Sequence, residues 1–215
     1  MTILVLIEHD KGNISPSTFN TIAAANFIGG PIEALVAGAE IKGVSDAVSK
    51  IAHITKVLVA DSNEYAHSLA ENLAPLIKKI ASNYTHIFAP ATTFGKNTMP
   101  RTAALLDVMQ ISDIVEVISS DTFKRPIYAG NALATVQSSD PIKLITVRST
   151  AFDAAESFGG SAEIETINGT GSSELSEFES SELSGSERPE LTSAGIVFQA
   201  VEVCKTALIS RCLKM

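Results

Sequence analysis

Four short apolar runs recur through the first half of the chain, each separated from the next by helix signals, and this alternation constrains the fold most. Residues 2–8 are a continuous β-rich apolar run, as expected of a strand buried on both faces of a parallel sheet. Ser15-Pro16 opens a helix through Asn26, closed by Gly29-Gly30. Residues 31–37 form a second run and 44–51 a short helix, and residues 56–60 form a third run. Asp61-Ser62-Asn63 can cap the next helix, which the stripe Ala66, Leu69, Leu73, Leu76, Ile77 and Ile80 carries to about residue 80, with a bend or boundary expected at Pro75. Residues 86–89 are the fourth run, and Pro100 starts a helix through Val108. Strands and helices at this spacing imply βαβ units.

The rhythm then changes. Residues 114–118, 123–128, 132–137 and 143–148 are strand-like with only turn signals between them. They are expected as strands added at a sheet edge, partly antiparallel, with Ser138-Ser139-Asp140-Pro141 as a hairpin turn. From Ala151 onward Ser, Gly and Glu dominate, the composition of a linker or extended arm. The apolar residues Ile164, Ile167, Leu175, Phe178 and Leu183 are spaced through it as candidate anchors for a partner. The expected class is α/β: a Rossmann-like layered fold with a mainly parallel sheet, extra edge strands and an extended C-terminal arm. The expected organisation is an α/β domain over residues 1–150, an acidic arm or linker over 151–190 and a further segment over 191–215.

Charge narrows the partners. Residues 161–190 hold eight Glu and one Arg, a net of minus seven out of minus eight for the whole chain, which leaves minus one elsewhere. No basic face remains to compensate phosphates, so nucleic acid is not an expected partner. The two cysteines, Cys204 and Cys212, both fall near the end, so no disulfide framework is expected and a reducing compartment is. The first seven residues lack a basic n-region, and no apolar run approaches a membrane span. The expected setting is cytoplasmic, without membrane insertion.

The usual signatures of chemistry are missing. Thr93-Phe94-Gly95-Lys96-Asn97-Thr98 resembles a P-loop, but Pro90 stands where the first Gly belongs and Asn97 replaces the hydroxyl that would meet magnesium, so a polar loop before a helix is expected. No Gly-x-Gly-x-x-Gly follows a strand. His9, His53, His67 and His86 lack metal-ligand spacing. His9 and Asp10 follow the first strand, at the edge where open α/β sheets bind ligands, but a solvated loop explains them. No catalytic, cofactor-binding or metal-binding residue is assigned.

Several blocks together resemble the electron-transfer flavoprotein alpha subunit. The most distinctive is Arg125-Pro126-Ile127-Tyr128-Ala129-Gly130-Asn131-Ala132-Leu133. With it go residues 3–8; Phe94-Gly95-Lys96-Asn97 with Pro100-Arg101; Gln110-Ile111-Ser112-Asp113; Val147-Arg148 with Phe152-Asp153-Ala154-Ala155; and Arg188-Pro189-Glu190-Leu191-Thr192. The resemblance covers residues 1 to about 195. It implies an alpha–beta heterodimer that carries electrons from acyl-CoA and other dehydrogenases to a membrane quinone reductase, in the setting of fatty acid β-oxidation. It implies FAD held in the alpha subunit's C-terminal domain against beta, which also holds AMP. The N-terminal domain matched here is, by that resemblance, a scaffold packed on beta. The implied compartment is the bacterial cytoplasm, or the mitochondrial matrix in a eukaryote, although no transit peptide is evident. The runner-up is a stand-alone α/β nucleotide-binding protein.

Past Thr192 the family continues into Val-Ser-Gly-Gly-Arg-Gly-Leu, whose Gly-rich turn approaches the flavin. This chain reads Val197-Phe198-Gln199-Ala200-Val201-Glu202-Val203-Cys204 instead. Permitted codons for Val197 to Lys205, read from the third base of the first, also encode Val-Ser-Gly-Gly-Arg-Gly-Leu-Gln. The expectation is that one base is lost near codon 197, that residues 198–215 are out-of-frame translation, and that the FAD-binding segment is absent from this chain.

Overall fold

A computed structural model describes residues 1–181. In chain order the elements are β1 (Ile3–Leu6), β2 (His9–Asp10), β3 (Asn13–Ile14), α1 (Pro16–Asn26), β4 (Ile32–Gly38), α2 (Lys42–Val48), β5 (Ile54–Asp61), α3 (Ala70–Ile80), β6 (His86–Pro90) and α4 (Thr93–Leu106). There follow β7 (Gln110–Ile114), β8 (Glu116–Val117), β9 (Thr122–Ile127), β10 (Ala132–Gln137), β11 (Lys143–Val147) and β12 (Glu163–Thr166). Seven strands form a parallel sheet in the order β12-β5-β4-β1-β6-β11-β7. Residues 1–178 are one compact unit.

The period-two alternation of β1 divides the core. Ile3, Val5 and Ile7 face a layer closed by Ile22 of α1 and by Val44 and Val48 of α2. Leu4 and Leu6 face the opposite layer, closed by Leu73, Leu76 and Ile77 of α3 and by Met99 of α4. Both layers exclude water almost completely, as strands covered by helices on both faces require.

Four expectations needed correction. The helix expected from Pro100 begins at Thr93, so the P-loop-like run is its first turn, and Pro100 lies inside it. Gly95 allows this close start, since a Cβ there would stand 1.9 Å from the carbonyl oxygen of Pro90. The helix expected from residue 63 is a 3-10 turn, Asn63–Tyr65, and then α3, divided where Ser68 takes a left-handed φ of 52°. Strand β11 is not an addition at the edge: it sits between β6 and β7 in the parallel sheet. Strands β8, β9 and β10 form a separate antiparallel sheet, and its β9–β10 hairpin turns at Tyr128–Gly130, not at residues 138–141.

The arm is the fourth correction. Asn20 Nδ2 donates to the Phe152 carbonyl at 2.7 Å, and the amides of Gly160 and Ala162 donate to Lys50 and Ser49 at 2.8 and 2.9 Å. Strand β12 then extends the sheet beyond β5, and Ile167 packs on the second layer. Further on, the amides of Thr170, Gly171 and Ser173 donate to Tyr65 Oη, Glu64 Oε1 and Asn72 Oδ1 at 2.9–3.0 Å. His67 stacks on Phe178 with ring centroids 3.7 Å apart. The arm is a strap on its own domain at least to residue 178. The Arg188 to Thr192 block, the altered stretch from Phe198 and both cysteines lie outside the described residues.

Candidate functional site

In an open α/β sheet, ligands bind outside the strand C-termini where the winding reverses. That point lies here between β1 and β6: the chain winds from β1 through β4 to β5 on one side, then crosses to β6 on the other. Glu8 follows β1 at this place. Its Oε2 accepts hydrogen bonds from Ser17 Oγ at 3.1 Å and Thr92 Oγ1 at 3.0 Å. Ser17 stands in the first turn of α1 and Thr92 is the N-cap residue of α4, so the carboxylate bridges two helix N-termini, where an anion is favoured. Glu8 is also held by its backbone: its carbonyl accepts from Ser15 N at 2.9 Å, and Thr18 Oγ1 meets its amide and carbonyl at 3.3 Å. An anionic ligand entering this crevice would meet the Glu8 carboxylate there.

The residues singled out in the sequence scatter around this point. His9 Nε2 lies 3.0 Å from the Ala37 carbonyl, fastened to the end of β4, while Asp10 is exposed in the small β2–β3 ribbon. His53 is exposed in a turn, and His67 is taken up by Phe178. His86 is buried at the start of β6, where its Nε2 donates to the Ser120 carbonyl at 2.6 Å and its Nδ1 lies 2.8 Å from Thr85 Oγ1. Burial lowers its pKa, so the ring is neutral and pins the β8–β9 turn to the sheet. Among the described residues no group of three His, Cys, Asp or Glu side chains is placed to hold a metal ion.

Sequence reasoning missed two charged clusters. Beside the crevice, both Arg148 Nε, at 3.1 Å, and Arg148 Nη2 donate to Asp113 Oδ2, and this pairing raises the Arg148 pKa. The pair lines a cavity of about 300 Å³ with Ala91, Thr92 and Lys96; the charges of the pair cancel, and Lys96 adds a positive charge to the lining. At the opposite end of the sheet Tyr84 Oη donates to Glu33, and Lys56 Nζ meets Glu165 at 2.9 Å. Burial, with the Glu33 bond, holds the Tyr84 phenol far above its ordinary range, so it stays protonated. This cluster ties β12 to β5. Only the fold brings these partners together.

The β9–β10 hairpin is the most exposed apolar feature. Tyr128, Ala129 and Gly130 at its tip have φ of 51°, 54° and 93°, two of them unfavourable left-handed positions for residues with a Cβ. Tyr128 is 79% exposed and Leu133 62%. Strained, exposed aromatic positions of this kind cluster at functional surfaces.

Fold and crevice together define a doubly wound α/β domain with a carboxylate, Glu8, hydrogen-bonded between the starts of α1 and α4. The family model described as "Electron transfer flavoprotein domain" matches residues 3–181, and the chain belongs to the electron transfer flavoprotein family. It is 57% identical over 197 residues to the electron transfer flavoprotein subunit alpha of Pseudomonas aeruginosa, covering 92% of this chain and 64% of that protein. It is 49% identical over 212 residues to the mitochondrial subunit alpha of Dictyostelium discoideum, covering 91% and 60%. Against subunit alpha of Bradyrhizobium diazoefficiens it is 50% identical over 197 residues, covering 92% and 62%. The chain thus spans about three fifths of the length of these relatives. Among the described residues no helix is long and apolar enough to cross a membrane.

Proposed function

We propose that this chain supplies the scaffold domain of an electron-carrying flavoprotein alpha subunit, docking on a beta subunit and leaving the flavin to other parts of the heterodimer. In that assembly FAD accepts electrons from acyl-CoA and other dehydrogenases and passes them to a quinone reductase. We assign the assembly to the bacterial cytoplasm or the mitochondrial matrix, a reading supported by relatives that are bacterial and mitochondrial. The observation that carries the reading is Glu8. Its carboxylate occupies the place where a doubly wound domain would set a phosphate, so the described residues do not fit a dinucleotide there. That also weighs against a stand-alone nucleotide-binding protein.

The docking face we assign is the β8–β10 sheet with its exposed tip. The strap is a weaker choice, because its amides and Ile167 are already satisfied by its own domain. Co-expressed with its cognate beta subunit, the 215-residue chain should elute from size exclusion as a one-to-one complex. Separate elution of the two chains at micromolar concentration would count against the reading. Tyr128→Ala with Leu133→Ala should weaken the complex while leaving the free chain's melting temperature within about 2 °C, since both side chains are largely exposed.

A further inference from the structure

Arg125, the first residue of the most distinctive run in the chain, has no evident role within the domain. It follows Phe123 on the inner face of β9, opposite Ala134 of β10. Its Nε is buried without a hydrogen-bond partner, and none of the four ion pairs among the described residues includes it. Gln110, on β7, has a second such atom: its Nε2 donates to Ser112 Oγ at 3.1 Å, but its Oε1 is buried and unpartnered. Both residues line one cleft of about 270 Å³, between β7 and the end of β10, with Met109, Val136 and Asp140. Asp140 does not serve Arg125. Its Oδ2 accepts from Met109 N at 3.0 Å and Ser138 Oγ at 3.2 Å.

Buried polar atoms in native proteins are almost always paired, and Arg125 Nε and Gln110 Oε1 are exceptions on two half-buried residues. One unmet donor and one unmet acceptor in the same cleft describe the complement of a peptide segment. The cleft is open to solvent. It also opens beside β10, one of the two outer strands of its sheet, where an extended chain can lie. We infer that the β7–β10 cleft receives an extended segment of the beta subunit, with an Asp or Glu carboxylate on Arg125 and a backbone N–H on Gln110 Oε1. The inference rests on the heterodimer proposed above and names its anchor. A planar guanidinium suits a carboxylate bidentately, and desolvated Arg is a frequent hot spot.

The test uses the full chain as wild type, Arg125→Met and Arg125→Lys, measuring the free chain's melting temperature and its affinity for the beta subunit. Arg125→Met should leave the melting temperature unchanged or raise it, because an unpaired buried donor is removed, and should weaken binding roughly tenfold or more. Arg125→Lys should recover only part of the affinity, since it keeps the charge and loses the fork. Wild-type affinity in Arg125→Met overturns the inference while leaving the heterodimer standing. A lower melting temperature in Arg125→Met assigns the residue to internal packing or to a water-filled cleft and overturns it as well. If the wild-type chain does not bind beta at all, the heterodimer reading itself falls.

Discussion

Phe88→Ala should lower the unfolding free energy by about 3–5 kcal/mol, among the largest losses of any single truncation in the domain. Phe88 is fully buried in β6, in register with Val5 of β1 on one side and Ile145 of β11 on the other. It therefore stands at the middle of the parallel sheet and packs in the layer that α1 closes. Removing the ring leaves a cavity that strands held by hydrogen bonds on both edges cannot collapse to fill. Val5→Ala and Val59→Ala should cost about 1–3 kcal/mol each, because fewer atoms are lost. Equilibrium denaturation at neutral pH measures all three. Losses below about half a kcal/mol throughout are the values of surface positions and would contradict the strand placements.

Deleting residues 158–187 should destabilise the domain substantially. From composition alone, a Ser-, Gly- and Glu-rich arm is expected to come away with little change in the melt. The structure gives the opposite expectation. The deletion removes β12 from the edge of β5, takes Ile167 out of the second layer, and strips the partners from Tyr65, Glu64 and Asn72. Gly160 shows how closely the strap runs, since a Cβ there would lie 2.1 Å from the Ile51 carbonyl oxygen. Loss of one half-buried aliphatic side chain and several backbone hydrogen bonds comes to about 2–4 kcal/mol, or roughly 4–16 °C in a domain of this size. A melting temperature unchanged by the deletion would mean that the strap is not held in solution.

The contrast shows which physics a sequence exposes. Residues 2–8 and 86–89 are legible because a strand buried on both faces needs an unbroken apolar run, and that need is local. Leu144 to Val147 meets the same criterion, with all four residues buried, yet the turn-like residues 138–141 before it suggest a hairpin. Its true neighbours, β6 and β7, are chosen by the sheet as a whole. Pro100 looks like a helix start because proline suits a first turn. It is interior because Gly95 lets α4 begin against Pro90. The strap is hidden for another reason: its bonds are made largely by backbone amides, which every residue type carries. The crevice is hidden too, since Glu8 reads as the end of a strand while its carboxylate's partners lie nine and 84 residues away. The resemblance named the family from short blocks, but no block marks Glu8 as the group filling the crevice or joins Arg125 to Gln110.

The domain proposed here belongs to a flavoprotein family without itself cradling the flavin. Titrating the purified 215-residue chain, without beta, into FAD and following flavin fluorescence tests it most directly. With Glu8 across both helix N-termini, the expected result is a colourless protein and no saturable quenching at micromolar concentration. A yellow preparation, or saturable one-to-one quenching by the chain alone, would contradict it.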